Sequence, residues 1–416
     1  MSVDLEQLIE NGEIEKTDLT KRLTIDGQSK TYPVYKFPLE YLYYNDQNGR
    51  INTTYYQYIA KHGRIKPEPG NSKYNEIFED FVYKSKEKAL EETITSIYER
   101  GQQEPGVILA DGRVIDGNRR LTALRKLEKK YGLTKYFEAS ILSFNIENKI
   151  DEKKIKELEL DLQLGREERV SYDPIDRIFD VYNTIKVQKL MTVEEYKKAS
   201  GAGNTKGINR DLRLAELIIK FLRIISPGQN PIDNFYLARE LKLDGPIEEI
   251  EGTLNKLKQD KETITTNILT TLAVQIAIPD QGDGDTTRKI RSIKKNILNN
   301  PDIKQHYIEA TDNHVDDIID YFIDNPIERA EDLRKTIESN QNVVEAANSL
   351  LQTTNRLSNK GEVASDRRQS LVRLREIRDD LEDLSKEDLK ELHENEYFEA
   401  KNVLKEIRDL AYKLLK

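Results

Sequence analysis

At 416 residues, 37% hydrophobic and 34% charged, the chain is long enough for several globular domains and lies within the composition range of folded proteins. A formal net charge of −9 excludes a surface coated uniformly for nucleic acid, while leaving room for a local basic face. With no cysteine, disulfides, thiolate metal sites and a cysteine nucleophile are excluded.

The opening MSVDLEQLIENGEIEK lacks the basic-then-apolar pattern of a signal peptide, and no run approaches about 18 apolar residues, so a soluble cytoplasmic protein without a membrane partner is expected. Residues 1–150 read as mixed α/β. TYPVYKFPLEYL (31–42) has the alternation of strand and loop. Residues 74–101 carry apolar side chains at helical spacing and stop at Gly101. PGVILADGRVIDG then reads as strand, Asp111-Gly112 turn and strand. A helix follows at once, with Leu121, Ala123, Leu124 and Leu127 on one face and Gly132 as its stop, and YFEASIL (136–142) closes the region as a strand.

Residues 151–240 turn helical. Thr192 with Glu195 three positions on is a capping box, Ser200 to Gly203 break the pattern, and Asn204 is placed to cap a second helix. A short helix, a tight glycine turn and a second helix are the parts of a helix-turn-helix, though an ordinary helical hairpin has the same parts. Residues 241–416 read as a helical bundle or coiled-coil assembly region with polar connections at 279–287 and 359–366.

Few motifs carry chemistry. A Walker phosphate loop is missing, GAGNTKG (201–207) has its last glycine at the wrong interval, and His62, His306, His314 and His393 are scattered, so no metal ligands are assigned. The segment Asp116-Gly117-Asn118-Arg119-Arg120 at a helix start is different. Free backbone N–H groups and the helix dipole attract anions there, glycine allows close backbone approach, and arginine offers a planar donor fork to phosphate. A solvated helix start remains the plain alternative. On the second helix of the glycine-turn pair, Asn204, Thr205, Lys206, Asn209, Arg210 and Arg213 are residue types that reach phosphates and base edges, while Leu212, Leu214, Leu217 and Ile218 pack inward.

Taken together, Asn45 to Arg50, Ser96-Ile97 with Gly101, Gln103 near Pro105, Gly117-Asn118-Arg119-Arg120 and the later helix-turn-helix resemble the ParB family of DNA-partition proteins over roughly 37–225. The resemblance implies an α+β chain: a ParB/sulfiredoxin-like nucleotide-binding domain (1–150), a helix-turn-helix DNA-binding domain (151–240) and the helical region (241–416). It makes Gly117, Asn118, Arg119, Arg120 and Arg50 phosphate-binding candidates. CTP is the favoured nucleotide, ahead of ATP, and DNA, the nucleotide and a second copy of the chain are the expected partners of a nucleoid-associated homodimer. The sequence departs from the family pattern at Asn118, where the family has Glu, and at Thr122, where it has a basic residue. The Glu-Asn pair that accompanies Mg2+ is missing from 162–177, where only Arg169 and Asp173-Pro174-Ile175-Asp176 match, so the magnesium motif is degenerate. Two alternatives belong to other classes. One is an enzyme of the same fold, an NTPase, nuclease or nucleotide-dependent kinase with Asp116 as its acidic participant. The other is a non-catalytic adaptor with a vestigial pocket.

Overall fold

The computed structural model describes residues 4–68, 70–164, 173–279, 285–384, 389 and 392–415. They form two compact units, the first from 1–291 and 310–351 and the second from 292–309 and 352–416. The boundaries expected near 150 and 240 both fall inside the first unit.

The first unit opens with α1 (Leu5–Glu10), β1 (Glu15–Ile25), β2 (Gln28–Pro38), β3 (Tyr43–Tyr44), α2 (Asn52–His62), α3 (Ser72–Ser85), α4 (Glu87–Arg100), β4 (Gly106–Leu109), β5 (Arg113–Asp116), α5 (Asn118–Tyr131) and β6 (Tyr136–Leu142). The strands make one mixed sheet in the order β1-β2-β6-β4-β5-β3. β4 runs parallel to β6 and β3 to β5, while the other pairs are antiparallel. The chain is therefore mixed α/β at its start, as expected. Central β4 is buried on both faces: Ile108 packs with α2–α5, and Val107 and Leu109 pack with Ile155 and Leu158 of α6 (Lys149–Leu164).

Local chemistry sets the turns. Asp26 and Gly27, both at positive φ, join Ile25 to Gln28 in a two-residue hairpin, and Gly112 at φ 91 turns β4 into β5. α5 buries Leu121, Ala123, Leu124 and Leu127 and ends on left-handed Gly132. The single helix expected over 74–101 is two. Ser85 turns its hydroxyl back to the Val82 carbonyl (2.8 Å) and Lys86 is extended, which ends α3 before α4 starts.

The chain continues with α7 (Pro174–Tyr182, extended by a π turn to Val187), α8 (Val193–Ser200), α9 (Lys206–Ile225), α10 (Tyr236–Glu240), α11 (Asp244–Lys256), α12 (Lys261–Ala277), α13 (Thr286–Ile293), α14 (Pro301–Asp324), α15 (Ala330–Glu338) and α16 (Gln341–Asp383), the last before α17 (Glu394–Leu414). α9 packs on α7, α11 and α12. Of the connection expected at 279–287, residues 280–284 lie outside the described residues, and so does Arg169. The connection expected at 359–366 is instead interior to α16. Its Gly361 admits the Asn296 carbonyl so closely that a Cβ would sit 1.9 Å from the oxygen. No helix among the described residues is long and apolar enough to cross a membrane.

Candidate functional site

β5 delivers the chain into α5 through Gly117, which sits at φ 98 and ψ 18 in the left-handed region and acts as N-cap without a side chain to accept the first helical amides. A Cβ at this position would meet the Phe137 ring at 2.8 Å and Arg120 Nη2 at 3.0 Å, so both conformation and space require glycine. The helix start thus has no side chain capping its first N–H groups, the kind of helix end that attracts anions.

The five side chains expected there divide by role. Arg120 Nη2 donates to Asp116 Oδ2 at 3.0 Å, and Lys21 Nζ lies 3.4 Å from the same oxygen while also donating to the Pro105 carbonyl. Asp116, the candidate acid, is therefore an acceptor between two cations. Arg119 is half-buried and forms no hydrogen bond or ion pair with any described residue. Burial, with Arg50 and then Arg120 nearby, holds its guanidinium below the usual arginine value. Arg50, in the loop before α2, is therefore near enough for its charge to act on Arg119. Asn118 is 8% exposed and its Oδ1 has no hydrogen-bond partner among the described residues. Thr122 is fully buried, its hydroxyl joined to Tyr44 Oη (2.8 Å) and to the Asn118 carbonyl (2.9 Å), so a basic side chain has no room where the ParB pattern places one.

The residues expected to face DNA also divide. α8 begins on the Thr192–Glu195 capping box and ends on left-handed Gly201. Asn204 Oδ1 accepts the Lys206 N–H at 2.9 Å, so it serves the start of α9 as expected, although Thr205 holds the cap position. Asn204 and Lys206 are exposed, and Thr205 and Asn209 partly so. Arg210 and Arg213 lean instead on α11. Arg210 Nη2 is 3.5 Å from Glu248 Oε2 and Nε 3.9 Å from Glu251 Oε2, and Arg213 Nε donates to Glu251 Oε1. Leu212, Leu214 and Ile218 are buried and Leu217 is partly so.

Sequence reasoning missed Glu159 altogether and noted Asp176 only within the segment matching the family pattern, not as a carboxylate buried behind the Arg50 loop. Glu159 Oε1 of α6 accepts the Gly49 N–H at 3.1 Å, and Asp176 Oδ1 of α7 accepts the Thr53 N–H at 3.2 Å and its hydroxyl at 2.6 Å. Burial raises both carboxyls, Asp176 to about 7, against the pull of the Thr53 hydrogen bond and Arg239. No local pattern marks the partners of either one, because they lie more than a hundred residues away. Among the described residues no group of three or more His, Asp or Glu side chains could hold a metal ion.

No family model matches the chain, and no curated protein does. A solved chain described as a Pnob8-like ParB-N domain is similar over 63% of this chain and 92% of that one, at 15% identity and a TM-score of 0.30. At that TM-score the likeness carries no argument about fold or function.

Proposed function

We propose that this is a ParB-like DNA-binding protein whose first 150 residues hold a nucleotide at the start of α5 and regulate DNA association. The observation that carries the reading is Arg119: a half-buried cation, next to Arg50, without a carboxylate partner among the described residues, at a helix start that no side chain caps. Charge held in that way is satisfied by a ligand bearing phosphate oxygens. CTP is favoured because the surrounding segments resemble the CTP-binding motifs of ParB proteins. Asn118 would meet a ligand donor with its unpartnered Oδ1. Mg2+ would accompany the triphosphate as its counter-ion.

In the same reading, residues 151–240 bind DNA through the first turns of α9, using Asn204, Thr205, Lys206 and Asn209, with Arg210 and Arg213 contributing only if they leave α11. Residues 241–416 serve assembly. Support for a homodimer comes from the second unit, where Leu374 and Ile377 of α16 and Phe398 and Leu410 of α17 are exposed. A cytoplasmic, nucleoid-associated protein follows from that role. Asp116 is not assigned a catalytic part, since its carboxylate already serves Lys21 and Arg120.

The test is calorimetric titration of CTP, ATP and GTP into the full chain, with and without Mg2+, beside Arg119→Ala. Saturable binding that the substitution weakens by about 10- to 100-fold is expected, and its base preference identifies the nucleotide. Absence of binding for all three overturns the reading.

A further inference from the structure

α2 follows directly on Arg50, and its cap residue Ile51 has no polar atom to offer the first amides. That task falls to Asp176, which takes both the N–H and the hydroxyl of Thr53 from the start of a helix far along the chain. Arg239 of α10 reinforces the junction by donating to Thr53 Oγ1 (3.3 Å) and Thr54 Oγ1 (2.6 Å). Tyr56 of α2 packs edge-on against Phe179 of α7, with ring centroids 5.4 Å apart.

A second tie reaches the residue before Arg50. Its Gly49 N–H donates to Glu159, whose other oxygen lies 3.3 Å from Lys156 Nζ. The same ammonium donates to Asp180 Oδ1 at 2.6 Å, and Asp180 Oδ2 accepts the Tyr196 hydroxyl at 3.2 Å. Burial opposes the Lys156 charge, but Asp180 and Glu159 outweigh it and hold the amine above its usual value. The groups are buried, so removing one member strands its neighbour, and the set holds as a unit. Tyr196 stands on α8, the first helix of the glycine-turn pair. An unbroken polar chain thus runs from α8 to the backbone immediately before Arg50.

We propose that Glu159 and Asp176 are positioning residues that tie the Gly49–Thr53 stretch to α8 and α7, so that an anion drawn to Arg50 and Arg119 alters how α8 and α9 are presented to DNA. The inference rests on the anion-site reading above and adds its route of regulation. Arg50 lies between the two tied positions, so movement of its side chain toward a phosphate loads both ties at once. A link of this kind is a coupling free energy, and it acts equally in both directions.

The double variant Thr53→Ala/Tyr196→Phe tests it in the full chain, because it removes two hydroxyls and one methyl group and touches neither the anion site nor the exposed start of α9. Nucleotide affinity is measured by calorimetry with and without a random-sequence DNA duplex, and duplex affinity by fluorescence anisotropy with and without the nucleotide and Mg2+. In the parent, each ligand should change the affinity of the other by the same factor, on the order of fivefold or more. In the double variant each ligand alone should bind within about twofold of the parent, while that factor falls to near one. Restoring the hydroxyl with Thr53→Ser should recover part of it. A factor unchanged in the variant, or equal weakening of both intrinsic affinities with the factor preserved, overturns the coupling and leaves the nucleotide site standing. Failure of the parent to bind CTP, ATP or GTP overturns the site and the coupling with it.

Discussion

At the start of α5, Arg119 faces Arg50 with no carboxylate partner among the described residues, whereas on α9 Arg210 and Arg213 rest against Glu248 and Glu251 of α11. Both stretches offer arginine in the opening turns of a helix. In one the fold leaves the charge uncompensated and partly desolvated; in the other it supplies anions from a neighbouring helix. The buried carboxylates between these regions follow the second pattern, since Glu159 and Asp176 each accept backbone and side-chain donors. Uncompensated half-buried charge is unfavourable on its own, and its persistence at α5 is what supports the ligand site we propose there. Arginines already paired to carboxylates have fewer free donors and a partly neutralised charge to offer a phosphate.

The sharpest way to break this contrast is to remove the unpaired charge. Arg119→Ala is expected to lower nucleotide affinity by about 10- to 100-fold, the worth of one or two charge-assisted hydrogen bonds, while leaving the unfolding midpoint unchanged or slightly higher. Arg120→Ala should do the reverse in emphasis, losing stability by releasing Asp116. Similar losses of nucleotide affinity and stability in both variants would mean that the two arginines share one structural role. Gly117→Ala comes next. With φ at 98 and the Phe137 ring in the way, it should cost about 1–2 kcal/mol in urea unfolding and displace the first amides of α5. Wild-type stability in this variant would mean that the left-handed turn is not required.

The paired region gives a pH signature. Burial raises the Asp176 carboxyl from 3.8 to about 7, so the folded chain holds this proton more tightly than the unfolded chain between those values. Its contribution is therefore most favourable at the acid end of the window, declines as pH rises towards 7, and is level above it. Asp176→Asn keeps an oxygen for the Thr53 N–H and removes the ionisation. The variant should show a flatter decline between pH 5 and 8, with a difference on the order of 1 kcal/mol across the window by denaturant titration. Parallel curves for the two proteins would exclude Asp176 as the titrating group.

Much of the fold was legible where the cause is local. The Asp111-Gly112 turn, the Leu121–Leu124–Leu127 face stopped by Gly132, and the Thr192–Glu195 box each act within a few residues and stand in the structure as read. β1 was overlooked although Asp26-Gly27 obeys the same hairpin rule, because an edge strand exposed along most of its length shows little apolar alternation. Gly361 resembles a connection in sequence, because the close approach of the Asn296 carbonyl that accounts for it is invisible there. At the site, residue types pointed to Gly117, Arg119 and Arg50, but not to the pairing of Arg120 with Asp116. Glu159 and Asp176 lie 110 and 123 residues from the amides they accept, and nothing in their own neighbourhood announces those partners.

The smallest expected effect lies on α9, and it sharpens the comparison from the other side. Lys206 is exposed at the first turn, on the surface we propose for phosphate contact, whereas Arg210 is held by α11. Lys206→Ala should weaken binding to duplex DNA a few-fold and reduce the salt dependence by about one counter-ion, while Arg210→Ala should stay within about twofold of the parent. If Arg210→Ala weakens binding as much as Lys206→Ala, its pairing with Glu248 and Glu251 yields to DNA. The restraint can also be lifted directly. Glu248→Gln/Glu251→Gln frees both arginines at the helix face, so duplex affinity should rise and its dependence on salt should steepen. An unchanged salt slope in that variant would show that the arginines do not reach the phosphates even when released, confining DNA contact to the first turn of α9.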